Sequence, residues 1–196
     1  MAQEKTQEKK EIFYVTSNIG KFEEVERIIK QQAPHIVLKP FTADIPEIQT
    51  MDQKEVALDK AKKAWDLVQK PLIIDDAGIY FEKYNKFPGV LSKFVSHGLG
   101  FEGIKKLIEP GDKAFYLLYM IYVDAPDKFQ VFEGRCEGVL DTPEVFDAHQ
   151  NLPYDTYFTP IGADKTCAQM RHDLEKYQDY FYRVRALRKF LDWYGK

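Results

Sequence analysis

The chain has 196 residues, 44% of them hydrophobic and 14% aromatic, which is enough to bury one core and too much for a solvated coil. Its 28 basic and 31 acidic side chains leave a formal charge of −3, so no single-sign field is available to grip nucleic acid or an anionic membrane. The 2 cysteines, Cys136 and Cys167, exclude a disulfide framework and a four-cysteine zinc site and suit a reducing compartment.

The opening MAQEKTQEKKE is charged and lacks an apolar h-region, so it reads as a disordered tail over 1–11 and not as a leader. No stretch approaches the roughly 20 apolar residues that cross a bilayer. A single domain over 12–196 of a cytoplasmic protein is therefore expected. Ile12-Phe13-Tyr14-Val15 predicts a buried strand, closed by Thr16-Ser17-Asn18, where Asn18 can cap the following helix. From Lys21 onward, Phe22, Val25, Ile28 and Ile29 recur at helical spacing. Ile36-Val37-Leu38 predicts a second strand, and 42–51, which contains Pro46, an ordered loop. Ala57, Ala61, Ala64 and Val68 form one stripe of a helix over 56–68, stopped by Pro71. Leu72-Ile73-Ile74 is a strand that ends in Asp75-Asp76. A turn at Phe87-Pro88-Gly89 and a helix over 103–108 follow. A hairpin over 114–123 and 129–136, with its turn at 124–128, precedes a closing helix over 180–194. Strands alternating with helices, followed by a hairpin, predict a mixed α/β sheet.

Several side chains stand out as candidates for chemistry. Thr16-Ser17-Asn18-Ile19-Gly20-Lys21 lies between a strand and a helix N-terminus, where unpaired N–H groups favour an anion and Lys21 adds a charge. A capped turn with a solvated lysine is the plainer reading of the same segment. Adjacent carboxylates such as Asp75 and Asp76 suit Mg²⁺, which takes few protein oxygens and keeps its waters. They also suit a solvated strand end. Pro46 stiffens the approach to Glu47, and Lys60 lies at the border of its helix stripe, free to reach a cleft or to snorkel to water. Arg183 heads an apolar stripe with Leu187, Phe190 and Tyr194, so it needs a partner, either a carboxylate or a nucleotide. His35, His97, His149 and His172 have no metal spacing.

Taken in order, these segments resemble the inosine/xanthosine triphosphate pyrophosphatase family from about Ile12 to Tyr194. The carriers are Thr16-Ser17-Asn18-Ile19-Gly20-Lys21, Ile45-Pro46-Glu47-Ile48-Gln49, Leu72-Ile73-Ile74-Asp75-Asp76-Ala77-Gly78-Ile79, Phe87-Pro88-Gly89-Val90 with Ser92, the hairpin glycines Gly134 and Gly138, and Lys165-Thr166-Cys167-Ala168-Gln169-Met170. The resemblance implies an α/β fold with a mixed, elongated sheet in two lobes, a central nucleotide cleft and helices on both faces. It also implies a homodimer that hydrolyses a nucleoside triphosphate, such as ITP or XTP and their deoxy forms, to monophosphate and pyrophosphate. Mg²⁺, with Mn²⁺ as substitute, would be held by Glu47 and Asp76. Asp76 and Lys21 would be catalytic. Thr16, Ser17, Asn18, Lys21, Lys60, Tyr154, Asp155 and Arg183 would bind substrate.

The departures from the family pattern lie at the base-reading segments. Leu152 and Pro153 stand where the family has Phe-Gly, Phe181-Tyr182 where it has Ser-His, and Ala77 where it has a hydroxyl. Altered base specificity, or a non-catalytic nucleotide-binding homologue, are the alternatives this leaves open.

Overall fold

The computed structural model describes residues 9–142 and 152–195. Residues 1–8 of the expected tail, His149 and Asn151 lie outside the described residues. The tail expectation is corrected at its end. Strand β1 (Lys10–Val15) already includes Lys10 and Glu11, which pair in parallel with Ile36 and Val37 of β2 (Ile36–Phe41). Their charged side chains stay in solvent while their backbones join the ladder, so the polar run extends two residues into the strand.

Strand β1 also pairs in parallel with β3 (Leu72–Phe81). A short β4 (Pro88–Gly89) pairs with β3, whose other long neighbour is the antiparallel β5 (Asp112–Ala125). Beyond it lie β6 (Lys128–Leu140) and β7 (Phe158–Pro160), giving a mixed sheet of order β2-β1-β3-β5-β6-β7. Strand β3 does not stop at its two aspartates. Register with β5 holds from Leu72 opposite Val123 to Phe81 opposite Ala114, so Asp75 and Asp76 sit mid-strand. The hairpin is likewise longer than its apolar runs, because pairing carries the polar ends along.

Helices cover both faces. Helix α1 (Ile19–Gln32) begins two residues before Lys21, because Asn18 caps it by accepting the Lys21 N–H at 3.2 Å. Helix α2 (Gln53–Val68) begins three residues before Val56, capped by Asp52. Helix α3 (Ser92–Lys105) starts well before the expected 103 and is broken at Gly100, whose φ of 60° is left-handed. Short α4 (Cys167–Met170) and α5 (Leu174–Tyr177) lead to α6 (Tyr182–Tyr194).

The alternation of side chains along each strand assigns them to the two layers. Ile12, Tyr14 and Ile73 face the larger core with α1 and α6, where Val25, Ile28, Leu187 and Phe190 are buried. Val15, Leu72 and Ile74 face α2, whose Ala57, Ala61 and Ala64 let its backbone lie close to the sheet.

Candidate active site

Because Asp75 continues the phase of Ile73, and Asp76 that of Ile74, the two neighbouring carboxylates leave opposite faces of the sheet. Each meets the cations of its own layer. Asp75 Oδ1 accepts from Lys21 Nζ of α1 at 2.7 Å, and its Oδ2 accepts from the Tyr14 hydroxyl at 2.6 Å and from Arg183 Nε of α6 at 2.7 Å. On the other face, Asp76 Oδ1 accepts from Lys60 Nζ of α2 at 2.7 Å, and Oδ2 accepts from the Gln53 amide. Gln53 is in turn fixed by the Tyr80 hydroxyl at 2.6 Å.

The two environments push the twins apart. Burial alone would raise the Asp75 carboxyl, but the charges of Lys21 and Arg183 overcome it and hold the group well below the usual carboxylate range. Burial wins at Asp76, whose carboxyl is raised despite Lys60. Lys60 itself is raised: burial opposes its charge, but Asp76 and Glu47 outweigh it. Glu47 reaches the same ammonium at 3.0 Å from its loop.

Of these groups, Lys21, Glu47, Lys60, Asp75, Asp76 and Arg183 line one cleft of about 690 Å³. Thr16, Ser17, Asn18 and Lys21 stand at one side, with Glu47, Lys60, Asp75 and Asp76 on its floor. Thr16 Oγ1 accepts the Asn18 N–H at 3.1 Å and so holds the turn open toward the α1 N-terminus. The far end is aromatic: Tyr116 and Tyr182 stack with centroids 4.5 Å apart, beside Leu152, Pro153 and Tyr154. Tyr154 donates to the Ser92 carbonyl at 2.9 Å.

Two expected substrate contacts are placed differently. Asp155 is fully buried and is not in the cleft wall. Its Oδ1 accepts the Tyr116 hydroxyl at 2.7 Å, and its Oδ2 accepts Arg171 Nε at 2.6 Å. Arg183 lines the cleft yet is 1% exposed, and its partners are carboxylates: Asp75 and, through NH1 at 2.9 Å, Glu24. Its NH2 has no hydrogen-bond partner among the described residues.

Glu24, Gln53, Tyr14, Tyr116 and Arg171 were not singled out from the sequence. Glu24 had a signal, since it falls among the buried Phe22, Val25 and Ile28 of α1. A charge on such a stripe needs a partner. Arg171, in the turn after Met170, had none.

The Ham1 family profile matches residues 12–193. The chain belongs to the Ham1 family. A dITP/XTP pyrophosphatase of Thermococcus kodakarensis is 33% identical over 182 residues, covering 92% of this chain and 95% of that protein. One of Methanopyrus kandleri is 30% identical over 186 residues, covering 93% and 95%. Among solved structures, the Staphylococcus aureus Ham1 protein superposes with a TM-score of 0.74 at 22% identity, covering 95% of this chain and 98% of that one, which supports the Ham1 fold. No helix among the described residues is long and apolar enough to cross a membrane.

Proposed function

We propose that this Ham1-family protein is a nucleoside triphosphate pyrophosphatase acting on deaminated purine nucleotides such as ITP, XTP and their deoxy forms. The observation that carries the reading is the polarity of this cleft. Two lysines and three carboxylates gather at one end, beside a capped helix N-terminus, and an aromatic wall closes the other. The dITP/XTP pyrophosphatase relatives support the same substrate class.

Lys21 and Lys60 hold the phosphate oxygens, and the N–H groups after Asn18 receive the tail. Thr16, Ser17 and Asn18 shape that pocket, while Tyr154 and Arg183 bound the base end and Asp155 supports it from behind. Asp76, raised by burial, is the group suited to take a proton from the attacking water. The water oxygen bonds to the α-phosphorus as the bond from that phosphorus to the α–β bridging oxygen breaks. Pyrophosphate and the monophosphate leave.

The donor set fits a divalent ion. Glu47 and Asp76 turn hard oxygens onto one ammonium, 3.0 and 2.7 Å away. Among the described residues no group of three or more potential ligands gathers. Mg²⁺, which takes one or two carboxylates plus substrate phosphates, suits such a sparse pair, and Mn²⁺ shares the preference. When bound, the ion neutralises charge on the triphosphate.

A homodimer would cover the exposed Met51, Leu91 and Phe94, which are 63%, 37% and 64% accessible. The buried, unpaired Cys136 and Cys167 suit the cytoplasm. A changed base preference is the second reading, favoured by Leu152 and Tyr182 at the aromatic end. The test is pyrophosphate release from ITP, XTP, dITP, ATP and GTP with Mg²⁺ or Mn²⁺. Release from none of them rejects the enzyme, and equal rates on all five select the second reading.

A further inference from the structure

From the cleft lining to the region behind the aromatic wall, charged side chains form a relay of alternating sign. Lys21 holds Asp75 at 2.7 Å, Asp75 holds Arg183 at 2.7 Å, and Arg183 holds Glu24 at 2.9 Å. Glu24 then meets Arg171 at 3.5 Å, and Arg171 ends the series on Asp155 at 2.6 Å. The three cations Lys21, Arg183 and Arg171 balance the three anions Asp75, Glu24 and Asp155. Arg171 is held in place by Phe181, whose ring centroid lies 4.7 Å from its guanidinium carbon. Asp155 stands one hydrogen bond from the cleft, since the Tyr116 hydroxyl that it accepts belongs to a cleft-lining ring.

A buried charge is little screened by salt and is felt well beyond contact distance. Were Asp155 left without Arg171, the aromatic end would carry a net negative potential. An ionised base such as xanthine, the more acidic of the two oxopurines, would be repelled there, and neutral hypoxanthine would not. We infer that Arg171 sets the charge tolerance of the base site by neutralising Asp155 behind the Tyr116–Tyr182 wall, so that anionic and neutral oxopurines are accepted together. Arg171 acts through Asp155 and is a positioning residue. The inference rests on the reading of the cleft as a purine nucleotide site.

The test is the ratio of kcat/KM for XTP to that for ITP, at a pH where the xanthine ring is ionised and hypoxanthine is neutral. Arg171→Met uncovers the Asp155 charge and should lower the ratio about tenfold, the order expected of one unscreened charge nearby. Asp155→Asn uncovers the Arg171 charge and should raise it by a similar factor. The double variant should return toward wild type, and Arg171→Lys should stay near it. Structural damage alone would not move the two single variants in opposite directions. Calorimetric affinities for XMP and IMP give the same ratio where a variant binds without turnover. If Arg171→Met does not fold, the rise in the near-isosteric Asp155→Asn decides. A ratio that stays fixed, or shifts the same way in both single variants, overturns the inference while leaving the pyrophosphatase reading intact. A wild type that neither cleaves nor binds either nucleotide overturns both.

Discussion

Arg183 and Asp75 lie 108 positions apart in the chain and meet through a 2.7 Å contact between Nε and Oδ2. Both are essentially sealed from solvent, at 1% and 4% exposure. The pair pins the first turn of α6 to the middle of β3, so the ends of the cleft proposed for phosphate and base share one joint.

Removing one member of a buried ion pair leaves the other charge uncompensated. Arg183→Met should therefore destabilise the protein by about 3–5 kcal/mol, since both Asp75 and Glu24 lose a partner. Urea unfolding should show a lowered midpoint. A midpoint equal to that of wild type would mean that water replaces the guanidinium at little cost.

Asp76→Asn separates chemistry from stability. The fold disfavours the ionised carboxyl at this position, because burial raises it. Asparagine removes that penalty, and Lys60 keeps Glu47 as its partner. Turnover should fall by roughly two orders of magnitude or more, as expected when a positioned base is lost, while the melting temperature holds or rises. Retained turnover would remove Asp76 from the proposed chemistry.

Glu47→Gln removes one of the two carboxylate charges that face Lys60. The Mg²⁺ concentration for half-maximal pyrophosphate release should rise about tenfold or more, with the ITP affinity of the metal-free protein little changed. An unchanged metal titration would place the ion elsewhere.

Stability should fall at both ends of the pH scale. Asp75 is depressed in the folded state, so its contribution is complete above about pH 4, the ordinary carboxylate range, and is lost as pH falls through the folded value. Burial pushes the Cys136 thiol up to about 11. An unfolded thiol ionises near about pH 8.5, so the unfolded state gains from there upward and the folded state resists until about 11. Buried Cys167, Tyr14 and Tyr116, also raised by burial, add to the alkaline loss. Denaturant midpoints measured across pH should be flat near neutrality and decline on both flanks. A midpoint that keeps rising above pH 9 or so would contradict the buried assignments.

Gly134 tests how the base end is held. A Cβ there would strike the carbonyl oxygen of Tyr182 across the contact of β6 with α6. Gly134→Ala should push the start of α6 outward, moving Tyr182 and Arg183 together. Its KM for ITP should rise several-fold, and its stability should fall by about 1–3 kcal/mol, the range for overpacked cores. A normal KM would show that the wall tolerates displacement.

The apolar runs of β1, β2, β3 and the hairpin, and the stripes of α1 and α2, were legible because burial imposes their periods. Two kinds of feature were not. Strand ends such as Lys10, Glu11 and the stretch of β3 after Asp76 are set by a neighbouring strand and not by their own residues. Charge partners set by tertiary packing were equally hidden. Arg183 could be read as needing a partner, but the sequence could not say that Asp75 and Glu24 would supply it. Asp155 looked like a ligand because the family pattern places it beside Tyr154. The arginine that enfolds it comes 16 positions later, from a turn without periodicity.

The placement of α6 also governs when the site can exist during synthesis. Lys21, Asp75 and Asp76 emerge from the ribosome long before Arg183, whose helix is the last element described. Until that helix docks, Glu24 and Asp75 lack their deepest counter-charge, and the aromatic wall lacks Tyr182. Nascent chains stalled before this helix should therefore hold an open, acidic hollow without a nucleotide pocket. Binding competence should therefore depend on the docking of α6, which supplies Arg183 and Tyr182.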